Sequence, residues 1–143
     1  DSTCLLYVLS HLKEQMGFEL FVVHVNHGIR QEAQEDAVYV EKICKQLMIP
    51  FFLRTEDVPL IACREGLTEE EAGRSVRYAV FEELADKVGA TKIAVAHNRN
   101  ALAETMLLNL FRGTGLHGAG AIRPVRDRII RPLLDTERTE IEE

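Results

Sequence analysis

The chain has 143 residues, 46% of them hydrophobic and 28% charged, with a formal net charge of −6. That mix suits one globular domain with a real core. It excludes a membrane span, since no run approaches the roughly 20 apolar residues required, and it argues against holding nucleic acid by bulk charge. Cys4, Cys44 and Cys63 are widely spaced without a CxxC pair, and the chain opens without a basic segment running into an apolar one. Both features predict reduced thiols in a cytoplasmic protein, not a secreted disulfide scaffold or a zinc site. Arginines gather toward the C-terminal end, at Arg112, Arg123, Arg126, Arg128, Arg131 and Arg138, which leaves room for an anion site on an acidic chain.

Taken in order, "DSTCLLYVLSHLKEQMG" reads as a helix, with Leu5, Leu6, Leu9 and Leu12 at helical spacing, Asp1 or Ser2 as N-cap and Gly17 as stop. "ELFVVHV" is a short buried strand. "EAQEDAVYVEKICKQLM" is a second helix with an apolar stripe of Val40, Ile43, Cys44 and Leu47. "FFLRT" is a strand, and "TEEEAGRSVRYAVFEELADKVG" a long helix with a Thr68/Glu71 capping box and Gly89 at its end. "KIAVAH" is a third strand, residues 100–111 a further helix, and "RIIRPLL" a last strand; the tail "DTERTEIEE" begins another helix. Alternating strands and helices predict an α/β fold with a mainly parallel sheet and right-handed crossovers. Such a fold normally opens with a strand, so Asp1-Ser2 reads as the tail of a strand-to-helix turn.

Four stretches carry polar residues where an α/β sheet presents its ligand edge. In "HVNHGIR" at 24–30, Asn26, His27, Gly28 and Arg30 follow a strand; a solvated turn is the plainer alternative. His24 and His27 have HxxH spacing, but residues three apart on a strand face opposite ways, so a shared metal is not expected. In "EEAGRSVRY" at 70–78, Arg74, Arg77 and Tyr78 share a helix face, either as an anion-facing stripe or as a wet surface paired with the preceding glutamates. "AHNRNALAET" ends a strand at His97 and places Glu104 one turn into a helix, whose N-terminus suits a phosphate; a packing histidine is the alternative. "FRGTG" puts Arg112 between a helix end and Gly113 and Gly115, as a phosphate clamp or an ordinary helix stop.

In order and spacing, these stretches resemble the tRNA-isoleucine lysidine synthetases, a branch of the N-type ATP pyrophosphatase (PP-loop) family. The resemblance covers nearly the whole chain: "DS" at 1–2, "HVNHGIR", "EEAGRSVRY", "AHN" at 96–98, "AET" at 103–105, "RGTG" at 112–115 and "IIRPLL" at 129–134. It implies a three-layer, doubly wound, mainly parallel sheet of the adenine nucleotide alpha hydrolase type. It also implies ATP and Mg²⁺ as cofactors, isoleucine tRNA with a CAU anticodon and free lysine as partners, and a homodimer as an admissible assembly. ATP would adenylate carbon 2 of the wobble cytidine, and lysine would displace AMP to give lysidine. The resemblance makes Asp1 a magnesium ligand, Ser2 a phosphate contact, and Asn26, His27, Gly113 and Gly115 nucleotide neighbours. It places Asp1, His97, Glu104 and Arg112 at the reacting centre, and Arg30, Arg74 and Arg77 on phosphates or the tRNA.

Two departures bear on activity. Against the family's pattern the chain is expected to lack the strand and the first residues of the SGGxDS phosphate loop, of which it carries Asp1 and Ser2, and the downstream tRNA-binding domains. Ala101 stands where the family carries an aspartate expected to help hold magnesium. Loss of a metal ligand there would remove several kcal/mol of transition-state stabilisation, so this chain is expected to be impaired as it stands. A non-catalytic nucleotide-binding or regulatory domain of the same fold, or an adenylating enzyme for a small metabolite, are the alternatives.

Overall fold

The structure, a computed structural model, describes residues 1–28, 33–111, 113 and 122–142. In chain order the elements are α1 (Ser2–Met16), β1 (Val22–Asn26), α2 (Ala33–Gln46), β2 (Phe51–Thr55), α3 (Val58–Glu65), α4 (Glu69–Val88), β3 (Ile93–Ala94), α5 (Arg99–Phe111), β4 (Val125–Arg126), β5 (Ile129–Ile130) and α6 (Arg138–Glu142). They divide into two compact units: Leu12–Ala90, and Asp1–His11 together with Thr91–Glu143. No described helix is long and apolar enough to cross a membrane.

In the unit Leu12–Ala90, β1 and β2 pair in parallel, in register from Val22 opposite Phe51 to Asn26 opposite Thr55. The crossover between them is α2, whose inward face is Ala37, Ile43 and Cys44; Val40 and Leu47 are half-buried beside them. Burial raises the Cys44 thiol's pKa, with Glu41 adding to the effect, so Cys44 serves as a core residue. After β2 the chain makes α3, an element the sequence reading passed over. Asp57 caps it by accepting from the Leu60 amide at 3.1 Å, Pro59 lies in its first turn, and Gly66 closes it. Val58 and Ala62 of α3 and Ala72 of α4 make a buried cluster flanked by Ile61, and this packing holds α4 in place.

Helix α4 begins and ends where expected. The Thr68 hydroxyl accepts from the Glu71 amide at 3.2 Å, and the Glu71 carboxylate accepts from the Thr68 amide at 3.0 Å. Gly89 ends the helix with φ of 72°, a left-handed conformation that costs glycine little.

In the other unit, β3 pairs in parallel with β5, and β5 in antiparallel with β4. The strands expected over "KIAVAH" and "RIIRPLL" shrink to two residues each. Regular pairing stops because Pro132 follows Arg131 and offers no amide to continue a ladder; the chain instead turns through Leu133 and Leu134, both buried. The hairpin joining β4 and β5 turns at Asp127, with φ of 53°, one of the few non-glycine residue types that tolerate this region. Helix α1 buries Leu5 and Leu6. Helix α5 has no buried residue and exposes Leu107, Leu108, Leu110 and Phe111. The fold is thus α/β, parallel within β1–β2 and β3–β5, with β4 as an antiparallel edge.

Removing the cap hydroxyl of α4 tests whether its first turn depends on the box. Thr68→Ala is expected to lower the free energy of unfolding by about 1 kcal/mol, read from urea denaturation. A loss no larger than that of the exposed control Glu70→Ala would contradict the assignment.

Candidate functional site

In the unit containing both chain ends, the polar groups meet at the start of α5. Asn98 follows the end of the β3 segment and is wholly buried. Its side-chain oxygen accepts from the Ala101 amide at 2.9 Å, and its main-chain oxygen accepts from Leu102 at 3.1 Å, so it caps the helix. Its amide nitrogen donates to Asp1 Oδ2 at 3.0 Å. The two partners fix the orientation of the amide, since turning it over would set oxygen against carboxylate. Asp1 itself begins α1, its carbonyl accepting from Leu5 at 3.0 Å. One buried side chain therefore ties together the N-termini of two helices, each with positive partial charge; at α5 the Arg99 amide already donates to the Thr136 carbonyl at 3.0 Å, and the Ala101 and Leu102 amides to Asn98.

His97 precedes Asn98, and its Nδ1 accepts from Arg131 Nε at 2.9 Å. Glu104 lies in the second turn of α5, mostly exposed, with Arg138 Nη2 3.9 Å away; at that distance and exposure the pair contributes little. Helix α6 is tied back to α5 more firmly. Arg99 pairs with Glu137 at 3.0 Å, and the Arg138 amide donates to Asn100 Oδ1 at 3.1 Å. Ser2 is exposed in the first turn of α1, and Gly113 is exposed beyond α5. Arg112 and Gly115 lie outside the described residues.

In the unit Leu12–Ala90, β1 ends in Asn26, buried, whose Oδ1 accepts from the Gly28 amide at 3.0 Å. Gly28 has φ of 69°, and a Cβ there would lie 3.2 Å from the Glu56 carbonyl oxygen, so glycine is required on both counts. The His27 carbonyl accepts from Val58 at 3.2 Å, which fixes the loop onto α3. The His27 ring lies on α4 at Gly73. A Cβ at Gly73 would stand 2.8 Å from His27 Nδ1, nearer than two such atoms can approach. Burial, then the neighbouring Arg77 charge and His24, lower the pKa of His27 below its usual 6.5. His24 is lowered as well, by burial, with Asp36 opposing. The Arg74 guanidinium covers the Tyr78 ring at 5.6 Å, and Tyr78 meets Phe81 edge to face. Arg74 is thus anchored by stacking and remains exposed on the face shared with the half-buried Arg77. Arg30 lies outside the described residues.

The structure therefore joins Asp1 to the α5 N-terminus, with His97 next in sequence to the residue that joins them. It also joins "HVNHGIR" to "EEAGRSVRY" through His27 and Gly73. Asn98 and Gly73, which carry these links, and Arg131, which bonds His97, were given no individual role in the sequence reading beyond their places in the motifs and, for Arg131, among the C-terminal arginines. Asn98 had a detectable signal, a capping residue type directly before a helix. Gly73 had one too, a glycine in a helix interior where alanine is about 1 kcal/mol better. Arg131, inside an apolar run and before a proline, gave none pointing to His97.

The donor set can be tested for magnesium. Asp1 offers one carboxylate, already engaged by Asn98, and Ala101 offers no side-chain oxygen. Among the described residues no three His, Cys, Asp or Glu side chains lie close enough to hold a metal ion. Magnesium is commonly held by one or two carboxylates with waters and substrate phosphates, and from such a set the described residues at these helix starts supply Asp1.

The family model of the PP-loop domain matches residues 1–143. The chain belongs to the PP-loop family. It is 57% identical over 143 residues to the tRNA(Ile)-lysidine synthase of Caldanaerobacter subterraneus subsp. tengcongensis, covering 99% of this chain and 31% of that protein. It is 50% identical to that of Clostridioides difficile, covering 100% of this chain and 31% of that one. Against that of Petrotoga mobilis the identity is 40%, with 99% of this chain and 45% of that protein covered. The chain thus spans about a third to a half of the length of these relatives. Among solved structures, the U34-tRNA thiolase NcsA from Methanococcus maripaludis, with its [4Fe-4S] cluster, superposes with a TM-score of 0.80. That match covers 97% of this chain and 50% of the thiolase at 17% identity, a likeness of fold. Within this PP-loop domain, Asn26 and His27 stand at a strand end and Asp1, His97 and Asn98 at helix starts, positions where open α/β folds bind ligands.

Two outcomes test the His27 environment. Gly73→Ala is expected to destabilise the protein by about 1–3 kcal/mol through overpacking, despite the better helix propensity. In a His27→Ala background the same change should be neutral or stabilising by up to about 1 kcal/mol. Equal effects in both backgrounds would show that the ring is not the obstacle. Because the folded-state pKa values of His24 and His27 are depressed below 6.5, the unfolded chain binds more protons just below that pH. Stability should therefore fall as the pH drops through about 6.5. His27→Gln should flatten this dependence in urea titrations, and an unchanged slope would contradict it.

Proposed function

We propose that the chain is the ATP-handling part of a tRNA(Ile)-lysidine synthase. In this reading the oxygen on carbon 2 of the wobble cytidine attacks the α-phosphorus of ATP and takes up the adenylyl group, with release of pyrophosphate. The amine of free lysine then attacks carbon 2 and displaces AMP, leaving lysidine. Isoleucine tRNA with a CAU anticodon and lysine are the substrates, and the cytoplasm is where they meet. The observation that carries the reading is the match to lysidine synthases of about half identical residues across the whole of this chain.

The geometry supports a division of labour. The triphosphate is suited to the positive partial charge at the starts of α1 and α5, which Asn98 draws together, because developing negative charge is stabilised by dipoles already in place. His97 stands beside the start of α5. Arg74 and Arg77 offer cations to an anionic partner from α4, with Arg74 held flat by Tyr78; guanidinium groups held in this way suit RNA phosphates.

A second reading rests on Ala101. It is the third residue of α5, where its amide is bound by Asn98 and its side chain contributes nothing polar. A nucleotide-binding domain with weakened or lost chemistry accommodates that residue better than an efficient enzyme does.

ATP–pyrophosphate exchange separates the readings. A chain preceded by a strand and SGG-type loop, and carrying Ala101→Asp, is expected to show exchange that depends on isoleucine tRNA. The same chain with Ala101 retained should be slower by at least about 100-fold, the rate equivalent of a few kcal/mol. Exchange without tRNA, in the presence of a small metabolite, would sink the tRNA reading. No exchange in the Ala101→Asp protein would favour the non-catalytic one.

A further inference from the structure

We propose that Arg131 is a ligand-binding residue: the Nη2 end of its buried guanidinium receives an anionic phosphoryl oxygen beside the start of α5. That the oxygen belongs to the triphosphate, or to the pyrophosphate leaving it, rests on the adenylation reading above; the anion site itself does not.

Arg131 is only 6% exposed. A buried cation is costly unless it is neutralised and its donors are satisfied. Among the described residues no carboxylate pairs with it, and only two of its nitrogens are bonded. Nε donates to His97 Nδ1 at 2.9 Å, and Nη1 donates to the Arg123 carbonyl at 2.7 Å. Nη2 has no partner among the described residues. None of their side-chain nitrogens or oxygens is both sealed from solvent and without a hydrogen bond, so Nη2 reaches an opening. A guanidinium has donors and no acceptor, so what Nη2 takes up there must offer a lone pair. The full positive charge, set among buried groups with one nitrogen left over, favours an anion.

The direction of Nη2 follows from covalent geometry. The guanidinium is planar, and Nη2 lies on the same edge as the Nε–H bond. That edge faces His97, the residue before the Asn98 cap of α5. The backbone is held on both sides. The Val95 amide donates to the Ile130 carbonyl at 3.0 Å, and the Arg131 amide to the Pro124 carbonyl at 2.9 Å. Pro132 steers Arg131 away from helical conformations, and the buried Leu133 and Leu134 anchor the chain beyond it. An anion on Nη2 therefore lies on the His97 side of a fixed fork, close to the positive partial charge of the first turn of α5. A guanidinium and a helix start together suit a phosphoryl group, with its several charged oxygens, better than a single carboxylate.

The test reads the guanidinium in the full-length protein labelled with ¹⁵N, with inorganic pyrophosphate as the probe. Titration is expected to move the Arg131 Nη2 resonance saturably, while Nη1, held on the Arg123 carbonyl, stays in place. Sodium chloride at matched ionic strength should move neither. Arg131→Lys keeps the charge without the fork, and should weaken pyrophosphate binding about 10-fold or more, the loss of one charge-assisted hydrogen bond. Arg126→Lys, on the exposed strand β4, should leave binding unchanged. If Arg131→Lys does not fold, the resonances of the unaltered protein decide. The proposal would be overturned by an Nη2 that saturating pyrophosphate leaves unmoved, by an equal shift with chloride, by undiminished binding in a folded Arg131→Lys protein, or by a shift that free lysine produces and pyrophosphate does not. Pyrophosphate held at Nη2 with no exchange in the Ala101→Asp protein would leave the site standing and count against the enzymatic reading; exchange with Nη2 unmoved would do the reverse.

Discussion

The carboxamide of Asn98 is the constraint around which the unit containing both chain ends is organised. It is fully buried, so each of its polar atoms must find a partner or cost on the order of 1–3 kcal/mol. It meets that demand with the Ala101 amide on one side and the Asp1 carboxylate on the other. Helix α5 is thereby given its first turn, and the start of α1 is held against it. Other contacts add to it: α5 buries no side chain, but its Arg99 and Asn100 bond to Glu137 and Arg138, and α1 buries Leu5 and Leu6. Replacing Asn98 by an apolar residue would free both ends at once, and with them the arrangement of amides on which a phosphate site would be built.

His97 and His27 sit in different environments, each in its own unit. His97 is met at Nδ1 by a donor, Arg131. His27 is pressed onto the bare backbone of α4 at Gly73, with burial and Arg77 opposing its charge. On a chain of net charge −6, positive charge for an anionic ligand comes locally, from arginines and helix ends. The acidic net charge of the chain is consistent with this economy, because local cations can serve a phosphate where the overall field cannot.

Local signals were legible where the residues that make an element also lie within it. The Thr68/Glu71 box and Gly89 marked α4 at both ends, and "FFLRT" is β2 residue for residue. The alternation of elements was enough for the α/β class. Strand lengths were not legible: "KIAVAH" and "RIIRPLL" have the composition of full strands, but the ladder depends on partners and on Pro132. Helix α3 carried its signals in Asp57, Pro59 and Gly66 and was still passed over, because its eight residues are fewer than the window in which helical periodicity stands out. At the site, residue types were visible and pairings were not. Asn98 reaches a partner 97 positions away and Arg131 one 34 positions away, separations at which no spacing rule operates.

The central claim is that the joined starts of α1 and α5 receive the triphosphate. Titrating the full-length protein with a non-hydrolysable ATP analogue, while following backbone amide resonances, tests it most directly. The account predicts the largest shifts at Ser2, Thr3 and Cys4 of α1 and at Arg99, Asn100 and Ala101 of α5. Saturable binding that leaves those six amides unmoved would place the nucleotide elsewhere and contradict it.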